Sequence, residues 1–316
     1  MAAVQENILI KKIPPVRGLL QRDYPISQST WFRVGGNAQI LFEPADAEDL
    51  SEFLFRLDER IPLTVIGAAS NLLVRDGGIP GVTVRLGKPF SGVCAQKNSF
   101  EVIASGSAIG VKVSRAAQKF GISGLEFLSG IPGTVGGAIR MNAGAFGSEI
   151  SEVLTQAKAV SRQGEILTFG RDEMDFDYRH NGCPDDLIFI SAIISGRSED
   201  PDLIAERMLE VNSARSVSQP IKARTGGSTF KNPPNSKAWQ LIDSAGCRGL
   251  MRGQAQVSPQ HCNFLINHGR ASASDLEELG EEVRKRVFIK HGIDLEWEIK
   301  RVGLKDLAST EHEQHI

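Results

Sequence analysis

The stretch "PLTVIGAASNLLVRDGG" (62–78) decides the fold: a short apolar run that reads as a strand passes straight into a loop led by glycine. Upstream, "AQILFEP" (38–44) reads as another strand, and "DAEDLSEFLFRLDE" (46–59) reads as a helix. Asp46 is placed to cap that helix, and Leu50, Phe53, Leu54 and Leu57 share one face of it. The opening is therefore strand, helix, strand and glycine loop. No GxGxxG follows a strand and no GxxxxGK[ST] occurs, so neither a Rossmann site nor a P-loop is supported. A loop such as "GAASN" still exposes successive backbone N–H groups without bulky side chains, a geometry that can bind a pyrophosphate. "SGIPGTVGGAI" (129–139) offers the same, with Ser129 and Thr134 as added hydroxyls. On glycine content alone, tight turns between strands account for both loops better.

Working outward, "VTVRL" and "FEVIAS" read as short strands between 82 and 104, and "IGVKVSRAAQKF" (109–120) as a helix. Residues 121–147 read as a long loop-rich segment, and 155–169 and 187–195 as strands. A helix at 201–213 is signalled by Asp200 as cap, Pro201 at its first position, and Leu203, Ile204, Met208 and Val211 at helical spacing. Residues 215–224 change character to a Ser/Gln/Pro/Lys linker. Beyond it come a helix at 236–246, a strand at 261–269 and a helix at 275–291, with Ser274 as cap, Glu277 as its box partner and Gly292 as terminator. "DLEWEIKRVG" (294–303) reads as a last strand, followed by a polar tail that frays.

Composition narrows the function. A chain of 316 residues with 41% hydrophobic and 23% charged residues suits a soluble globular protein of two or three domains. A formal net charge of -2 supplies no global basic field for nucleic acid. The longest strongly apolar run, "LIFISAII" (187–194), suits a buried strand and not a membrane span. Glu6, Lys11 and Lys12 break any signal-peptide core, so the expected location is cytoplasmic. Cys94, Cys183, Cys247 and Cys262 are scattered without a CxxC and read as free thiols, and the six histidines form no metal set. His312 and His315 form "HEQH" in the tail, and His261 and His268 flank an apolar strand as structural or surface groups.

Local sequence leaves the chemistry open. Ser228, in "RTGGSTFKNP" (224–233), is either a turn hydroxyl or a proton donor made useful by its surroundings. Arg179, in "DFDYRHN" (175–181), is either an ordinary arginine paired with Asp175 or Asp177 or a guanidinium aimed at a carboxylate. Glu296 and Glu298 lie two apart on one face of a strand whose other face carries Ile293, Leu295, Trp297 and Ile299. Spacing cannot choose between the two glutamates.

Taken together, eight segments resemble the UDP-N-acetylenolpyruvoylglucosamine reductase family: "TWFRVGGNA" (30–38), "IGAASNLLVRDGG" (66–78), "SGIPGTVGGAIRMNAGAFG" (129–147), "YR" (178–179), "RTGGSTFKNP" (224–233), "LIDSAGCRG" (241–249), "VSPQHCNFLIN" (257–267) and "LEWEIKRVG" (295–303). They run in order from about residue 20 to 303. The resemblance implies an α+β fold: a vanillyl-alcohol-oxidase-type FAD-binding domain of two α+β subdomains, and a C-terminal α+β substrate domain. The expected boundaries are 1–81 and 82–214 for the FAD subdomains and 215–295 for the substrate domain, with 296–316 as a final strand returning to the active site plus the tail. FAD would be held non-covalently, NADPH would be the hydride donor, and the partner would be a small UDP-sugar, with no nucleic acid, membrane or obligate protein partner.

By position, the resemblance implies that Arg179 and Glu298 support the substrate carboxylate, Glu298 as a protonated or proton-sharing acid, and that Ser228 protonates the α-carbon. Glu296 is then the bystander. The implied flavin contacts are Gly67, Ala68, Ala69, Ser70, Asn71 and Leu72 from the first loop. From the second they are Ser129, Gly130, Ile131, Pro132, Gly133, Thr134, Gly136, Gly137, Ala138, Asn142, Gly144 and Ala145. The implied substrate contacts are Tyr178, Arg179, Gly227, Lys231, Asn232, Gln256 and His261, and no metal is implied. Many family members carry a serine two residues after the Tyr-Arg pair, where this chain has Asn181. There is no room for the tyrosine-bearing loop of one subtype, so the loopless subtype is expected. Two other readings compete: a flavin oxidase of the same fold, and a non-catalytic flavin or nucleotide-sugar binder.

Overall fold

A computed structural model describes residues 13–96 and 98–306, so the tail from 307 onward, with the histidines at 312 and 315, lies outside the described residues. The chain forms two compact units. The first takes the chain up to Arg22, Ile40–Ala68 and Gly81–Ala214; the second takes Asp23–Gln39, Ala69–Pro80 and the chain from Arg215. Both mix helices with sheets, as expected.

The first unit is built on two sheets. One has four strands in the order Leu19–Tyr24, Ala38–Glu43, Ile79–Arg85 and Leu63–Ile66, the last two parallel with Leu63 opposite Val82. The helix Ala47–Arg56 buries Leu50, Phe53 and Leu54, and Phe53 packs its ring 4.2 Å from that of Phe42. Asp46 caps it by accepting from the Asp49 N–H at 2.9 Å. The other sheet is antiparallel, in the order Ile166–Gly170, Leu154–Val160, Ile188–Ser195, Glu101–Ser105 and Val93–Gln96. The helix Gly110–Lys119 lends Val113 and Ala117 to its core.

Two expectations change here. The 121–147 segment contains a helix, Val135–Arg140, whose first turn is closed by the Thr134 hydroxyl accepting from the Gly137 N–H at 3.3 Å. The helix begun at Pro201 continues to Ser218, into the expected linker. Its last turns are mostly exposed, so no apolar stripe advertises them.

The second unit packs the 19-residue helix Ala273–His291 and the helix Ala238–Ser244 with an antiparallel sheet of Met251–Arg252, Ala255–Val257 and Leu265–Asn267. The expected strand at 261–269 is regular only over Leu265–Asn267. The expected strand at 294–303 is regular only over Lys300–Val302, which pairs in parallel with Leu72–Val74 inside the first glycine loop. The cap of the long helix is Ser272 with Asp275, not Ser274 with Glu277. Ser274 instead donates to Asp76, whose carboxylate also takes the N–H groups of Ala273 and Ser274. Glu277 receives Arg75 through two bonds of 2.8 and 2.9 Å and Arg301 at 3.2 Å. The hydrogen bonds from Arg75 hold its carboxyl below the usual carboxylate range against the opposing pull of burial. These bonds tie residues 72–76 to the helix Ala273–His291 and the strand Lys300–Val302 within the second unit.

Candidate active site

In the first unit the two glycine segments meet. A Cβ on Gly67 would lie 2.6 Å from the Thr134 hydroxyl oxygen, and one on Gly130 would lie 2.7–2.8 Å from Val211 and Phe146. Only glycine allows this approach. The cradle is backbone and small side chains, which fits a flavin nucleotide. The amides of the second loop are largely committed. Val135 and Gly136 donate to Ala108 and Gly106 carbonyls at 2.8 and 2.9 Å, and Gly137 to Thr134. Ser129 is buried, donates to the Glu126 carbonyl at 2.7 Å and accepts from Asn212 at 3.2 Å. This segment therefore offers shape more than donors.

Arg179 sits in a tight turn in which Asp177 and His180 exchange backbone hydrogen bonds of 3.1 Å, and its own φ is +57°. Its guanidinium donates to the Gly144 carbonyl at 2.9 Å and the Asn142 carbonyl at 3.4 Å, and lies 5.1 Å from the Tyr178 ring centre. The buried Asn142 side chain is spent on Glu149, the Asp177 carbonyl and the Ser151 N–H. What it holds is the turn that presents Arg179. Asn181 is buried too, donating to the carbonyls of Ile139 and Arg140 at 2.8 and 3.0 Å. Its amide thus finishes the end of the helix Val135–Arg140.

In the second unit, Ser228 and Glu298 sit on neighbouring extended segments. Ser228 pairs with Phe264 and Phe230 with Trp297 as antiparallel bridges. Glu298 donates its N–H to the Thr229 carbonyl at 2.8 Å, and Lys231 donates its own to the Glu296 carbonyl at 2.8 Å. The segment 228–231 therefore runs between 263–264 and 296–298, joined to each by an isolated antiparallel bridge. Gly226 leads into it where a Cβ would lie 2.4 Å from the Phe32 ring and 3.1 Å from Ile299. Gly227 adopts φ +83°, and Ser228 is half-exposed. The hydroxyls of Thr225 and Thr229 are buried without a hydrogen-bond partner among the described residues. A buried hydroxyl without a partner costs about 1–3 kcal/mol.

The other expected substrate contacts are in the same unit. Lys231 Nζ pairs with Glu296 Oε1 at 2.6 Å, so Glu296 positions that ammonium. Asn232 accepts from the Ala238 N–H at 3.0 Å, which starts the helix Ala238–Ser244. Gln256 is held between His268 Nε2 at 2.7 Å and the Gly249 carbonyl at 3.3 Å. Asn71 donates to the Glu298 carbonyl at 3.0 Å and accepts from the Lys300 N–H at 3.1 Å, so the first glycine loop grips the strand that carries Glu298.

His261 lies between Trp239 and Phe264, with ring centres 6.3 and 4.8 Å away, and its Nδ1 accepts from the Asn263 N–H at 3.3 Å. Burial pushes the imidazole below its usual range, and Arg248 adds to the shift. Because the folded value lies below the unfolded one, the unfolded chain binds more protons as the pH falls below about 6.5. Stability from neutral His261 is full above that pH and declines below it. A His261→Asn variant should show a flatter loss of stability between about pH 6.5 and 5. Parallel urea-midpoint curves for the two proteins would remove His261 from this role.

The role of Asn263 in holding this region together was not legible. Asn263 joins the segments by bonding both the N–H and the carbonyl of Phe230, at 3.0 and 2.8 Å. The only sequence signal for it was an amide inside an apolar run. Among the described residues no group of three metal-ligating side chains occurs and no helix is long and apolar enough to cross a membrane. All four cysteines are free thiols.

Comparison with known proteins converges on one family. Residues 219–302 match the family described as UDP-N-acetylenolpyruvoylglucosamine reductase, C-terminal domain, and residues 38–170 match an FAD binding domain family. The UDP-N-acetylenolpyruvoylglucosamine reductase of Parvibaculum lavamentivorans is 53% identical over 305 residues, covering 96% of this chain and 98% of that protein. The chain belongs to the UDP-N-acetylenolpyruvoylglucosamine reductase family. A reductase of that name from Methylorubrum populi is 55% identical, covering 92% of this chain and 94% of the relative. Among solved structures, the family member from Thermus caldophilus superimposes with a TM-score of 0.78 at 31% identity, covering 92% of this chain and all of that one. The 6-hydroxy-D-nicotine oxidase of Arthrobacter nicotinovorans, at 11% identity and a TM-score of 0.53, shares the fold alone. The vanillyl-alcohol-oxidase-type flavin domain expected from the sequence is thus the fold of this chain.

Proposed function

We propose that this chain reduces UDP-N-acetylglucosamine enolpyruvate to UDP-N-acetylmuramate, with FAD held non-covalently and NADPH as the reductant, in peptidoglycan precursor synthesis in the cytoplasm. The observation that carries the reading is the pair of isolated bridges and the Glu298-to-Thr229 backbone bond that bring the chain at Ser228 and at Glu298 side by side, within the segment that matches the family's C-terminal domain. Bound FAD supplies a hydride, taken from NADPH, to the enolpyruvyl methylene carbon.

The chain's residues do the rest. Residues 67–71 and the second glycine loop hold the flavin. Negative charge develops on the α-carbon and spreads into the attached carboxylate, so that group needs a cation and a hydrogen-bond donor. Arg179, oriented by two backbone carbonyls, supplies the first. Glu298 supplies the second, from a strand that Asn71 and Thr229 hold by its backbone. The Ser228 hydroxyl gives its proton to the α-carbon, a centre far more basic than the alkoxide left behind. Lys231, Asn232, Gln256 and His261 contact the substrate together with Tyr178 and Gly227. In this reading residues 1–81 and 82–214 carry the flavin and 215–295 the substrate, with 296–316 returning to the site.

The visible spectrum tests this directly. Without air, NADPH should bleach the yellow protein and the enolpyruvyl sugar should restore the colour. Colourless protein that takes up no FAD, or reduced protein that recovers only on admitting oxygen, would end the proposal; the latter would point to a flavin oxidase.

A further inference from the structure

We infer that Asn181 is a positioning residue for Arg179: with Asn142, its buried carboxamide clamps the strained turn that presents the guanidinium. The inference rests on the proposed role of Arg179. Met174 and Asn181 are the buried feet of a loop whose residues in between are all exposed or half-buried, and the Gly182 N–H donates to the Met174 carbonyl at 2.9 Å. Within that loop Arg179 holds φ +57°, which a residue with a side chain adopts only where its surroundings impose it. Exposed neighbours impose little, so the constraint comes from the feet.

Three anchors come from residues 139–144, the end of the helix Val135–Arg140 and the chain that follows it. Ahead of Arg179, the Asn142 side chain donates to the Asp177 carbonyl at 3.1 Å. Behind it, the Asn181 side chain donates to the Ile139 and Arg140 carbonyls at 2.8 and 3.0 Å. At the tip, the guanidinium itself donates to the Gly144 and Asn142 carbonyls at 2.9 and 3.4 Å. Asn181 is 2% exposed, and its carboxamide oxygen accepts from the Cys183 N–H at 3.1 Å and from Arg140 at 3.4 Å. Both of its donors and both of its lone pairs are therefore in use, and none is left for a ligand. Arg140 completes the clamp by donating to the Cys183 and Leu187 carbonyls at 3.1 and 2.8 Å. Without the Asn181 donor the descending arm of the loop is free to lift, residue 179 relaxes toward negative φ, and the guanidinium leaves the two carbonyls that aim it.

The test uses the FAD-loaded full chain and two ligands that separate positioning from folding. UDP-N-acetylmuramate carries the carboxylate that Arg179 is proposed to hold; UDP-N-acetylglucosamine is the same nucleotide sugar without the group that bears it. Asn181→Ala should bind the first roughly 10- to 100-fold more weakly and the second within about twofold of wild type. Without air, reoxidation by the enolpyruvyl sugar should slow by a similar factor, while reduction by NADPH stays within about twofold. Asn181→Asp keeps the size and the acceptor but loses the donor, and should show the same pattern. Arg179→Ala should itself lose the preference for the carboxylate, and adding Asn181→Ala to it should change neither affinity by more than about twofold, because the effect passes through the missing guanidinium. A wild-type preference in both Asn181 variants would overturn the inference. Equal weakening of the two ligands would also overturn it, as would failure of both variants to fold with FAD, since either makes Asn181 a folding residue. An Arg179→Ala enzyme that still prefers the carboxylate would remove the role of Arg179 and this inference with it, and is distinct from a normal Arg179 effect with a silent Asn181.

Discussion

Ser228→Ala should leave flavin reduction by NADPH at the wild-type rate and slow reoxidation by the enolpyruvyl sugar roughly 10²- to 10⁴-fold, the range expected when a positioned proton donor is removed. The two half-reactions separate because only the second places a proton on carbon. The substitution is mild for the fold. Ser228 is half-exposed, and its place in the segment 228–231 is set by backbone pairing with Phe264 and by the glycines before it. Alanine keeps that backbone and loses one oxygen. Melting temperatures within a degree or two, FAD bound as before, and a deficit confined to reoxidation would establish the assignment. Equal slowing of both halves would remove it and leave Ser228 as a turn hydroxyl.

The parts of this fold that were legible are those whose cause is local. Asp46 and the stripe Leu50, Phe53, Leu54 and Leu57 announced the helix Ala47–Arg56, and Gly292 at φ +67° ends the helix Ala273–His291 as expected. The start of that last helix shows where local reading stops. The capping-box spacing occurs twice in "SASDLE", as Ser272 with Asp275 and as Ser274 with Glu277. Nothing nearby separates the two. The choice is made by Asp76 and Arg75, some 200 residues upstream, which take Ser274 and Glu277 for themselves. The alternation of Leu295, Trp297 and Ile299 was visible as burial, yet the strand is not regular there. The Thr229 carbonyl accepts from both Glu298 and Ile299, at 2.8 and 3.4 Å, and that shared acceptor breaks the ladder.

The same limit governs the site. A serine after two glycines fits a turn as well as a catalyst, so Ser228 and Glu298 needed the ordered set of family segments to single them out. The structure adds what neither local pattern nor resemblance could: partners. Asn142 was expected at the flavin and spends its side chain on the turn that carries Arg179. Glu296, the bystander, holds Lys231.

Gly280→Ala should lower stability, against the rule for helices. Glycine inside a helix is less favourable than alanine by roughly 1 kcal/mol, so at an open position the substitution would stabilise. Here a Cβ would lie 2.3 Å from two carbons of the Trp297 ring. The ring has little room to retreat. Its Nε1 donates to Glu281 at 2.8 Å, the Arg301 guanidinium lies 4.5 Å from its centre, and Phe230 lies 5.1 Å away. Overpacking of this kind costs about 1–3 kcal/mol, enough to cancel or exceed the helix gain, and the ring that must move is joined to Glu298 by a single peptide bond. The expected result is a melting temperature a few degrees below wild type, with reoxidation slowed more than reduction. The sign can be reversed on purpose. In a Trp297→Phe background the shorter ring should clear the new methyl group, and Gly280→Ala should then be neutral or stabilising relative to Trp297→Phe alone. If alanine raises the melting temperature with Trp297 intact, the tryptophan is not pinned as described, and the strand carrying Glu298 owes its position to the Asn71 and Thr229 bonds instead.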